Sequence, residues 1–186
     1  MKRFFDFFIS LALIIVLSPL MIILSILIKL DSTGPVFHHQ KSNGQPALRL
    51  GKNAKPFFYF KFRSMFVNTD NVTNFGAFIR RWHLDELPEL FQVLIGKMSL
   101  VGPRPLEKSC VKRKQLEYYQ SLLTKPGMTG YMQIHRKESN CIEEHINANK
   151  WYFENKGFLT DSKILIKTPF AIMLQKSGSK KTMILL

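Results

Sequence analysis

The hydrophobic positions of this chain form one long run at the N-terminus and only short clusters beyond it. From Phe4 to Ile28 the one charged residue is Asp6, and most other positions are Phe, Leu, Ile, Val or Met. As a helix this run would measure roughly 37 Å, which exceeds the roughly 30 Å hydrocarbon core of a bilayer. It is too long for a signal peptide, and no Ala-x-Ala-like cleavage site follows it. The run therefore predicts a membrane-embedded helix.

A Ser18-Pro19 pair interrupts this run near its middle. Proline removes one helical hydrogen bond and clashes with the preceding turn, so a kink or break is expected there. Lys2 and Arg3 precede the run and favour the cytoplasmic side, as does the basic remainder of the chain. A helix that enters the membrane, breaks at Ser18-Pro19 and returns to the same face satisfies both ends. An ordinary kinked span is the alternative, and the residues alone leave both open.

The remaining chain predicts short elements separated by turns. Residues 31–50 hold several Gly and Pro breaks and predict a loop with a short hairpin. Residues 56–66 alternate aromatic with basic positions, which is the period of an extended strand. Residues 74–83 have apolar positions at helical spacing, and a further helix begins within 84–94. Residues 99–106 are rich in Gly and Pro and predict a rigid loop.

The C-terminal part adds a helix over residues 111–123, then a turn and a short extended piece over 125–134. From Ser162 onward apolar residues mix with lysines, which favours a helix in the membrane interface, held by anionic lipids. A last core helix with a solvated polar face is the alternative. The whole pattern predicts a mainly α fold with a small β-hairpin (α+β). A membrane segment at residues 1–30 precedes one globular domain at 31–186.

The basic charge narrows the range of partners. The chain has 27 Lys+Arg against 13 Asp+Glu, a net charge of +14, and only Lys2 and Arg3 of these cations precede the apolar run. The globular part should therefore stay in the cytoplasm. Such basicity is also found in nucleic-acid-binding proteins. Beside a membrane segment, however, anionic lipid and a phosphorylated substrate are the simpler partners, so we expect no nucleic acid.

Several enzyme classes are disfavoured because their motifs are absent. Cys110 and Cys141 are distant and form no CxxC pair, which argues against a zinc finger or a disulfide framework. The sequence contains no GxxxxGK[ST], GxGxxG, HExxH or Gly-x-Ser-x-Gly pattern. P-loop and Rossmann nucleotide sites, zinc hydrolases and serine hydrolases of these types are therefore not indicated.

The most suggestive chemistry is the acidic pair Asp85-Glu86, which we call the dyad. Pro88 favours a helix that starts one to three residues before this proline, at the dyad. The unpaired N–H groups at a helix start stabilise a carboxylate or a phosphate. An ordinary helix cap is the simpler explanation of the dyad alone. However, a carboxylate that attacks a phosphate needs cations nearby, and a Mg²⁺ ion would be held by one or two carboxylates. Basic residues flank the dyad in sequence: Lys61, Arg63, Arg80, Arg81 and Arg104.

Several motifs occur together, in a fixed order, between residue 2 and about residue 174. The two longest are LDELPELF at 84–91 and MSLVGPRP at 98–105. The shorter ones are Lys2-Arg3-Phe4-Phe5-Asp6, Ser18-Pro19, Gly34-Pro35-Val36-Phe37, Lys61-Phe62-Arg63-Ser64-Met65, Gly76 with Arg80, and Pro126-Gly127-Met128-Thr129-Gly130. This set closely resembles the bacterial sugar transferase family, the small monotopic phosphoglycosyl transferases that begin glycan assembly.

The resemblance implies a specific reaction. Members move a sugar-1-phosphate from a UDP-sugar to undecaprenyl phosphate and release UMP, with Mg²⁺, in the first membrane step of surface glycan biosynthesis. Asp85 would be the nucleophile that forms a covalent phospho-sugar intermediate and contacts the metal, and Glu86 its partner. The implied substrate-binding candidates are Lys61, Arg63, Arg80, Arg104, Arg136 and Lys137.

The resemblance also bears on location. The family's N-terminal helix is re-entrant and breaks at a Ser-Pro pair, so Ser18-Pro19 would mark a helix-break-helix hairpin. The catalytic domain would face the cytoplasm at the bacterial inner membrane. The oligomeric state stays open, and a homodimer is compatible with the sequence.

Two departures from the family pattern put substrate identity or efficiency in doubt. Lys97 stands where the family usually has Asp, and Asn149 appears at a position that commonly holds Asp. Either Arg136 or Lys137 would take the place of a family arginine. Two rival functions remain. One is a polyprenyl-phosphate glycosyltransferase, although no Asp-x-Asp motif is present. The other is a non-catalytic, basic, membrane-bound binding module.

Overall fold

The computed structural model of the protein describes residues 1–38, 44–105, 123–135 and 142–174. The described part is mainly helical with two small two-stranded sheets, which confirms the predicted fold class. The helices are α1 (Lys2–Asp31), α2 (Asn74–Arg81), α3 (Glu89–Leu94), α4 (Tyr131–Ile134), α5 (Ile142–Asn155) and α6 (Phe158–Leu174). The strands are β1 (Leu48–Leu50), β2 (Pro56–Phe58), β3 (Ser99–Val101) and β4 (Gly127–Thr129). Single 3₁₀ turns occupy Lys52–Ala54 and Leu84–Glu86.

The two sheets differ in how far apart their strands lie in sequence. β1 and β2 form an antiparallel hairpin, with Arg49 opposite Phe57. The hairpin was predicted within residues 31–50, but its second strand comes from the start of the segment 56–66 that was predicted as a separate extended strand. β3 and β4 pair in parallel, with Ser99 opposite Gly127. The prediction of a loop throughout 99–106 is therefore wrong at its start, since residues 99–101 form β3. Periodicity could not show this, because three residues gain a strand conformation only from a partner about 28 positions away.

Helix α1 packs lengthwise against the rest of the protein. Its buried positions, Asp6, Ser10, Met21, Leu24 and Ile28, recur at helical spacing, while its outer face exposes large apolar side chains. By length and composition α1 could cross a membrane. A helix with one packed face and one exposed apolar face is suited to contact the protein on one side and lipid on the other.

The helix continues through Pro19, so the structure does not confirm an interruption at the Ser18-Pro19 pair. Proline cannot supply the N–H that would normally bond the carbonyl of Ile15, four residues earlier. The Ser18 hydroxyl donates to that carbonyl at 2.8 Å. The serine therefore satisfies the acceptor that the proline leaves open, which matters where no water can do so.

The N-terminal end of α1 is bonded to the globular part. Lys2 Nζ donates to the Val101 carbonyl at 2.8 Å and pairs with the Asp161 carboxylate at 2.5 Å. Arg3 donates to the last-turn carbonyls of α3. Asp6 accepts hydrogen bonds from the Ser99 hydroxyl at 2.8 Å and the Leu100 N–H at 3.1 Å, so it holds β3 in place.

The C-terminal end of α1 is bonded to the same globular part. The buried guanidinium of Arg63 donates to the carbonyls of Ser32 at 2.7 Å and Ile28 at 3.3 Å. Asp31 accepts a bond from the Phe75 N–H in the first turn of α2. Arg63 thus satisfies carbonyls that a helix end leaves unpaired.

Two apolar clusters form the core, and α1 takes part in both. The larger cluster lies under the β sheets and includes Phe57, Tyr59, Leu90, Val93, Met98, Leu100, Val101, Tyr152 and Ile164, with Ile14 and Leu17 packed against it. The second joins α1 to α2 through Met21, Leu24, Ile28, Phe62 and Ile79. The apolar run is therefore both an exposed surface and a structural part of the core.

The predicted C-terminal helix is observed as α6, which begins at Phe158, four residues before Ser162. Ile164 is buried in the larger cluster, whereas Ile166, Phe170 and Met173 are exposed. Both expectations for this helix thus hold in part: it has a core face and an exposed apolar face. The helix predicted at 111–123 and the lysines beyond Leu174 lie outside the described residues, apart from Leu123.

We expect Asp6→Ala to destabilise the fold, because it leaves the buried Ser99 hydroxyl and Leu100 N–H without their acceptor. Such a loss costs about 1–3 kcal/mol. Thermal unfolding of the protein in detergent, followed by circular dichroism, measures the change. The matched control is Asp70→Ala at an exposed position. Equal unfolding temperatures for the two variants would contradict the role assigned to Asp6.

Candidate active site

The dyad lies on the 3₁₀ turn that precedes α3. His83, directly before it, has a left-handed backbone (φ 53°), which turns the chain from α2 into the 3₁₀ turn. Pro88 then caps α3 and is itself buried. The left-handed backbone of His83 is uncommon for a non-glycine residue, and such residues are often found at functional sites. The sequence predicted a helix that starts at the dyad, whereas α3 begins only at Glu89 and Asp85 lies inside the 3₁₀ turn; the left-handed residue before this turn had no sequence signal.

An extended segment crosses directly over the dyad. The Phe62 N–H donates to the Asp85 carbonyl at 2.8 Å. Buried Gln92 on α3 bonds the same segment twice, through the Phe58 carbonyl and the Phe60 N–H. These bonds fix the residues between them, so Tyr59 and Lys61 are held against the dyad and the start of α3.

Arg80 reaches the site because α2 approaches the extended segment closely. A Cβ atom on Gly76 would lie 2.0 Å from the Ser64 carbonyl oxygen, so only glycine fits at this contact. One turn later, Arg80 Nε donates to the Ser64 hydroxyl at 2.6 Å. Thr73 caps the helix by accepting from the Gly76 N–H. The close packing at Gly76 therefore sets the position of Arg80.

Arg104 is positioned by the loop that follows β3. Gly102 and Gly127 approach so closely that a Cβ on Gly127 would lie 2.0 Å from the Gly102 nitrogen. Buried Asn149 on α5 accepts a hydrogen bond from the Arg104 N–H at 3.1 Å. The departure at Asn149 thus lies against the backbone of a site arginine. An Asp there could accept the same bond and would add a negative charge.

The Asp85 carboxylate is buried but not tightly bonded. Its closest cation is Lys61, whose Nζ lies 3.9 Å from Oδ2, too far for a hydrogen bond. Burial raises the pKa of Asp85, and the positive charges of Lys61 and Arg80 act against this. Burial also lowers the pKa of Lys61, with Asp85 as the main opposing influence. Lys61 and Arg80 therefore offset only part of the cost of burying the Asp85 anion, while its carboxylate oxygens are not tied up by a short ion pair.

Glu86 has the opposite character. Burial alone would raise its pKa, but His83, Arg104 and Lys61 outweigh this and lower the pKa to about 2. His83 Nδ1 lies 3.6 Å from one carboxylate oxygen, and an Arg104 nitrogen lies 3.9 Å from the other. Glu86 is consequently ionised at neutral pH, and its negative charge attracts the side chains of His83 and Arg104.

Three residues of this arrangement were missed by sequence reasoning: Tyr59, His83 and Glu89. The Glu89 carboxyl is fully buried among Tyr59, Lys61, Glu86 and Arg104. Signals for two of them were present, since Tyr59 is two positions from Lys61 in the segment predicted as an alternating strand and His83 is two positions before Asp85. The burial of Glu89 had no sequence signal, because a Glu in the first turn of a helix is ordinarily exposed.

Of the predicted substrate-binding residues, the structure brings Lys61, Arg80 and Arg104 to the dyad. The prediction for Arg63 is corrected, because its guanidinium caps α1. Burial lowers the pKa of Arg63, and the charge that opposes this shift is that of Asp31, not of the dyad. The Lys97 side chain is exposed. Arg136 and Lys137 lie outside the described residues, so their roles stay predictions.

Comparison with known proteins decides the family. A family model described as bacterial sugar transferase matches residues 1–175. The chain belongs to the bacterial sugar transferase family. This confirms the resemblance inferred from the motifs around the dyad.

Curated members of the bacterial sugar transferase family extend over nearly the whole chain. The undecaprenyl-phosphate galactose phosphotransferase of Salmonella typhimurium is 34% identical over 96% of this chain and 41% of its own length. The UDP-galactose-lipid carrier transferase of Erwinia amylovora is 32% identical, with the same coverage. Exopolysaccharide production protein PSS of Rhizobium leguminosarum is 33% identical and is covered over 98% of its length. The chain thus spans about two-fifths of the first two relatives.

We predict that Gly76→Ala destabilises this bacterial sugar transferase, although alanine is the better helix former by up to about 1 kcal/mol. The new Cβ would overlap the Ser64 carbonyl, so α2 must move, at a cost of about 1–3 kcal/mol. Gly157→Ala is the matched control, since nothing lies within 4 Å of its Cβ. Thermal unfolding compares the two, and a Gly76→Ala protein as stable as the control would disprove the close contact.

Proposed function

We propose that the protein is a phosphoglycosyl transferase that moves a sugar-1-phosphate from a UDP-sugar to undecaprenyl phosphate and releases UMP. The observation that supports this best is the buried Asp85 carboxylate, surrounded by Lys61 and Arg80 but hydrogen-bonded by neither. The names of its relatives, a galactose phosphotransferase and a lipid carrier transferase among them, describe this class of reaction.

The proposed reaction has two displacement steps at one phosphorus atom. An Asp85 oxygen attacks the sugar-proximal phosphorus of the UDP-sugar, and the bond from this phosphorus to the bridging oxygen breaks as UMP leaves. A phosphate oxygen of undecaprenyl phosphate then attacks the same phosphorus. The bond to Asp85 breaks, the carboxylate is restored, and a lipid-linked sugar diphosphate is released. A covalent intermediate divides one difficult transfer into two easier steps.

The cations make this attack of an anion on an anion feasible. Lys61 and Arg80 lower the repulsion at Asp85, and Arg104 is half-buried with one side chain face open beside Glu86. Fixed positive charge of this kind stabilises a phosphoryl group during transfer. Glu86, as a permanent anion, would hold Arg104 and orient the incoming lipid phosphate.

Mg²⁺ fits the residues present only as an ion shared with substrate. In the part of the chain that the structure describes, no group of three or more His, Cys, Asp or Glu side chains could hold a metal ion. Mg²⁺ commonly binds through one or two carboxylates together with substrate phosphates and water. Asp85 offers such a carboxylate, and the ion would supply charge neutralisation to the diphosphate.

The proposed location is the cytoplasmic face of the bacterial inner membrane, with α1 inserted from that side. Both ends of α1 are bonded to one globular body, at Lys2 and Arg3 and again at Arg63. A helix with its ends on opposite membrane faces could not make both sets of bonds. The exposed apolar face of α1 meets that of α6 where Phe5 contacts Phe158, with ring centres 5.7 Å apart. Exposed Lys163 and Lys167 on α6 would contact anionic lipids.

The test of function is nucleotide release from a panel of UDP-sugars, with Mg²⁺ and undecaprenyl phosphate. We expect acceptor-dependent UMP release that falls by about a thousandfold or more in Asp85→Asn, because the nucleophile is lost. Asp70→Asn, at an exposed position, is the matched control. Without acceptor, mass spectrometry should detect a sugar-phosphate adduct on the peptide that contains Asp85.

Other outcomes point to the rival functions. Release of UDP instead of UMP would identify a glycosyltransferase that moves sugar without phosphate. Folded protein that releases no nucleotide from any UDP-sugar would identify a non-catalytic membrane-binding module.

Topology is tested separately with single cysteines in a background without Cys110 and Cys141. One cysteine is inserted between Met1 and Lys2, and the other replaces exposed Thr33. We expect a membrane-impermeant maleimide to label neither in intact cells and both after the inner membrane is permeabilised. Labelling of the first cysteine alone in intact cells would show that α1 spans the membrane. This result would refute the proposal that both ends of α1 lie on the cytoplasmic side.

A further inference from the structure

Glu89 is, among the described residues, an acidic group at the site for which the proposed reaction has no use. It begins α3, one turn after Asp85, and its side chain is fully buried. Within the described residues neither of its carboxyl oxygens has a hydrogen bond of good geometry, although the Tyr59 hydroxyl interacts with the carboxyl. A buried, unpaired carboxylate would cost many kcal/mol, and proteins normally avoid this by keeping the group protonated. An unpaired acid in a buried site therefore needs a functional explanation.

The groups that face Glu89 come from every element packed around it. Tyr59 and Lys61 lie on the extended segment, Glu86 on the 3₁₀ turn and Arg104 on the loop after β3. Arg104 stays 3.9 Å from Glu86, so its guanidinium is not committed to a bidentate pair. A second ionised acid beside it would draw Arg104 inward, away from a substrate phosphate.

We infer that Glu89 is a positioning residue that is neutral in the resting enzyme, filling the space beside Arg104 and Tyr59 without adding a charge that would compete for the substrate diphosphate. It acts through Arg104 and does not itself contact the substrate. The inference rests on the proposed function, which identifies the ligand of Arg104 as the diphosphate of a nucleotide sugar.

The electrostatic surroundings agree with this geometry. Burial, followed by the negative charge of Glu86, raises the pKa of Glu89 well above its ordinary value. Tyr59, Arg104 and Lys61 oppose the shift but do not cancel it. Because the neutral form persists to higher pH than in an ordinary glutamate, ionisation and its repulsion of substrate phosphates should begin at a higher pH than for an exposed glutamate.

The first experiment measures the protonation state directly. Infrared difference spectra of the full chain in lipid nanodiscs, wild type minus Glu89→Gln, should show a protonated carboxyl band at pH 7. A carboxylate band there would overturn the inference. The spectrum needs no substrate, so its result is independent of the enzymatic reaction.

The second experiment measures the affinity for UDP, a diphosphate probe, against pH in the presence of Mg²⁺. In the wild type the Kd should rise by about fivefold or more between pH 7 and pH 9 as Glu89 ionises beside Arg104. Glu89→Gln cannot ionise and should show a smaller rise. Identical pH dependence would contradict the positioning role.

The third experiment tests rescue by the neutral isostere. Glu89→Leu should raise KM for the UDP-sugar by about tenfold or more, because Arg104 loses its polar neighbour. Glu89→Gln should recover most of that loss. If Glu89→Gln raises KM as much as Glu89→Leu does, the carboxyl acts as an anion and the inference is wrong. Glu154→Gln, at an exposed position on α5, is the matched control.

The two proposals can fail separately. A protonated Glu89 and a pH-dependent UDP affinity, in a protein that releases no UMP, would remove the proposed function and leave the assignment of Glu89 intact. UMP release by a protein with an ionised Glu89 would support the proposed function and remove the assignment of Glu89.

Discussion

The attachment of α1 to the globular part at both ends is the constraint on which the site depends. At the N-terminal end Asp6 bonds β3, and β3 leads directly into the loop that carries Arg104. At the other end Asp31 bonds the first turn of α2, whose last turn carries Arg80. Two of the cations at the dyad are therefore positioned by elements that the apolar helix itself holds. The helix that is suited to contact lipid therefore also sets the positions of Arg80 and Arg104 at the site.

This coupling suits a reaction between a soluble and a lipid substrate. In the proposed location, a helix that is tethered at both ends and exposes one apolar face keeps the globular body against the bilayer surface. The exposed apolar residues of α6 extend this face, through the contact of Phe5 with Phe158. A site on such a body lies where a phosphate attached to a membrane lipid can reach it. Arrangements of this kind are expected of proteins that lie in the interface without spanning the membrane.

Within the site, three carboxyl groups in five residues have different charge states because their neighbours differ. Glu86 lies beside His83 and Arg104 and is held as an anion. Asp85 lies near Lys61 and Arg80, which partly offset the effect of burial. Glu89 is fully buried beside the negative charge of Glu86, and both effects favour its neutral form. Such separation of pKa values among neighbouring acids is how one site assigns different roles to the same chemical group.

The local features of the protein were determined by its sequence alone. The apolar run and the helix at 74–81 follow from periodicity, which acts over a few residues. Pro88 indicated a helix start near the dyad, although α3 begins only after this proline. The motifs around Asp85 and Arg104 were sufficient to indicate the family. Lys61, Arg80 and Arg104 were also predicted, Arg80 from its position five residues before Asp85 and the other two from the family motifs that contain them.

Only the tertiary structure decided how distant residues are used. Arg63 was predicted to bind substrate but caps α1, since carbonyls more than 30 positions away needed a donor. The pairing of β3 with β4 and the bond from Asp6 to β3 likewise join residues that no local pattern connects. The burial of Glu89 depends on four segments meeting around it. Local propensity acts along the chain, whereas charge, burial and hydrogen-bond satisfaction are settled by what packs across it.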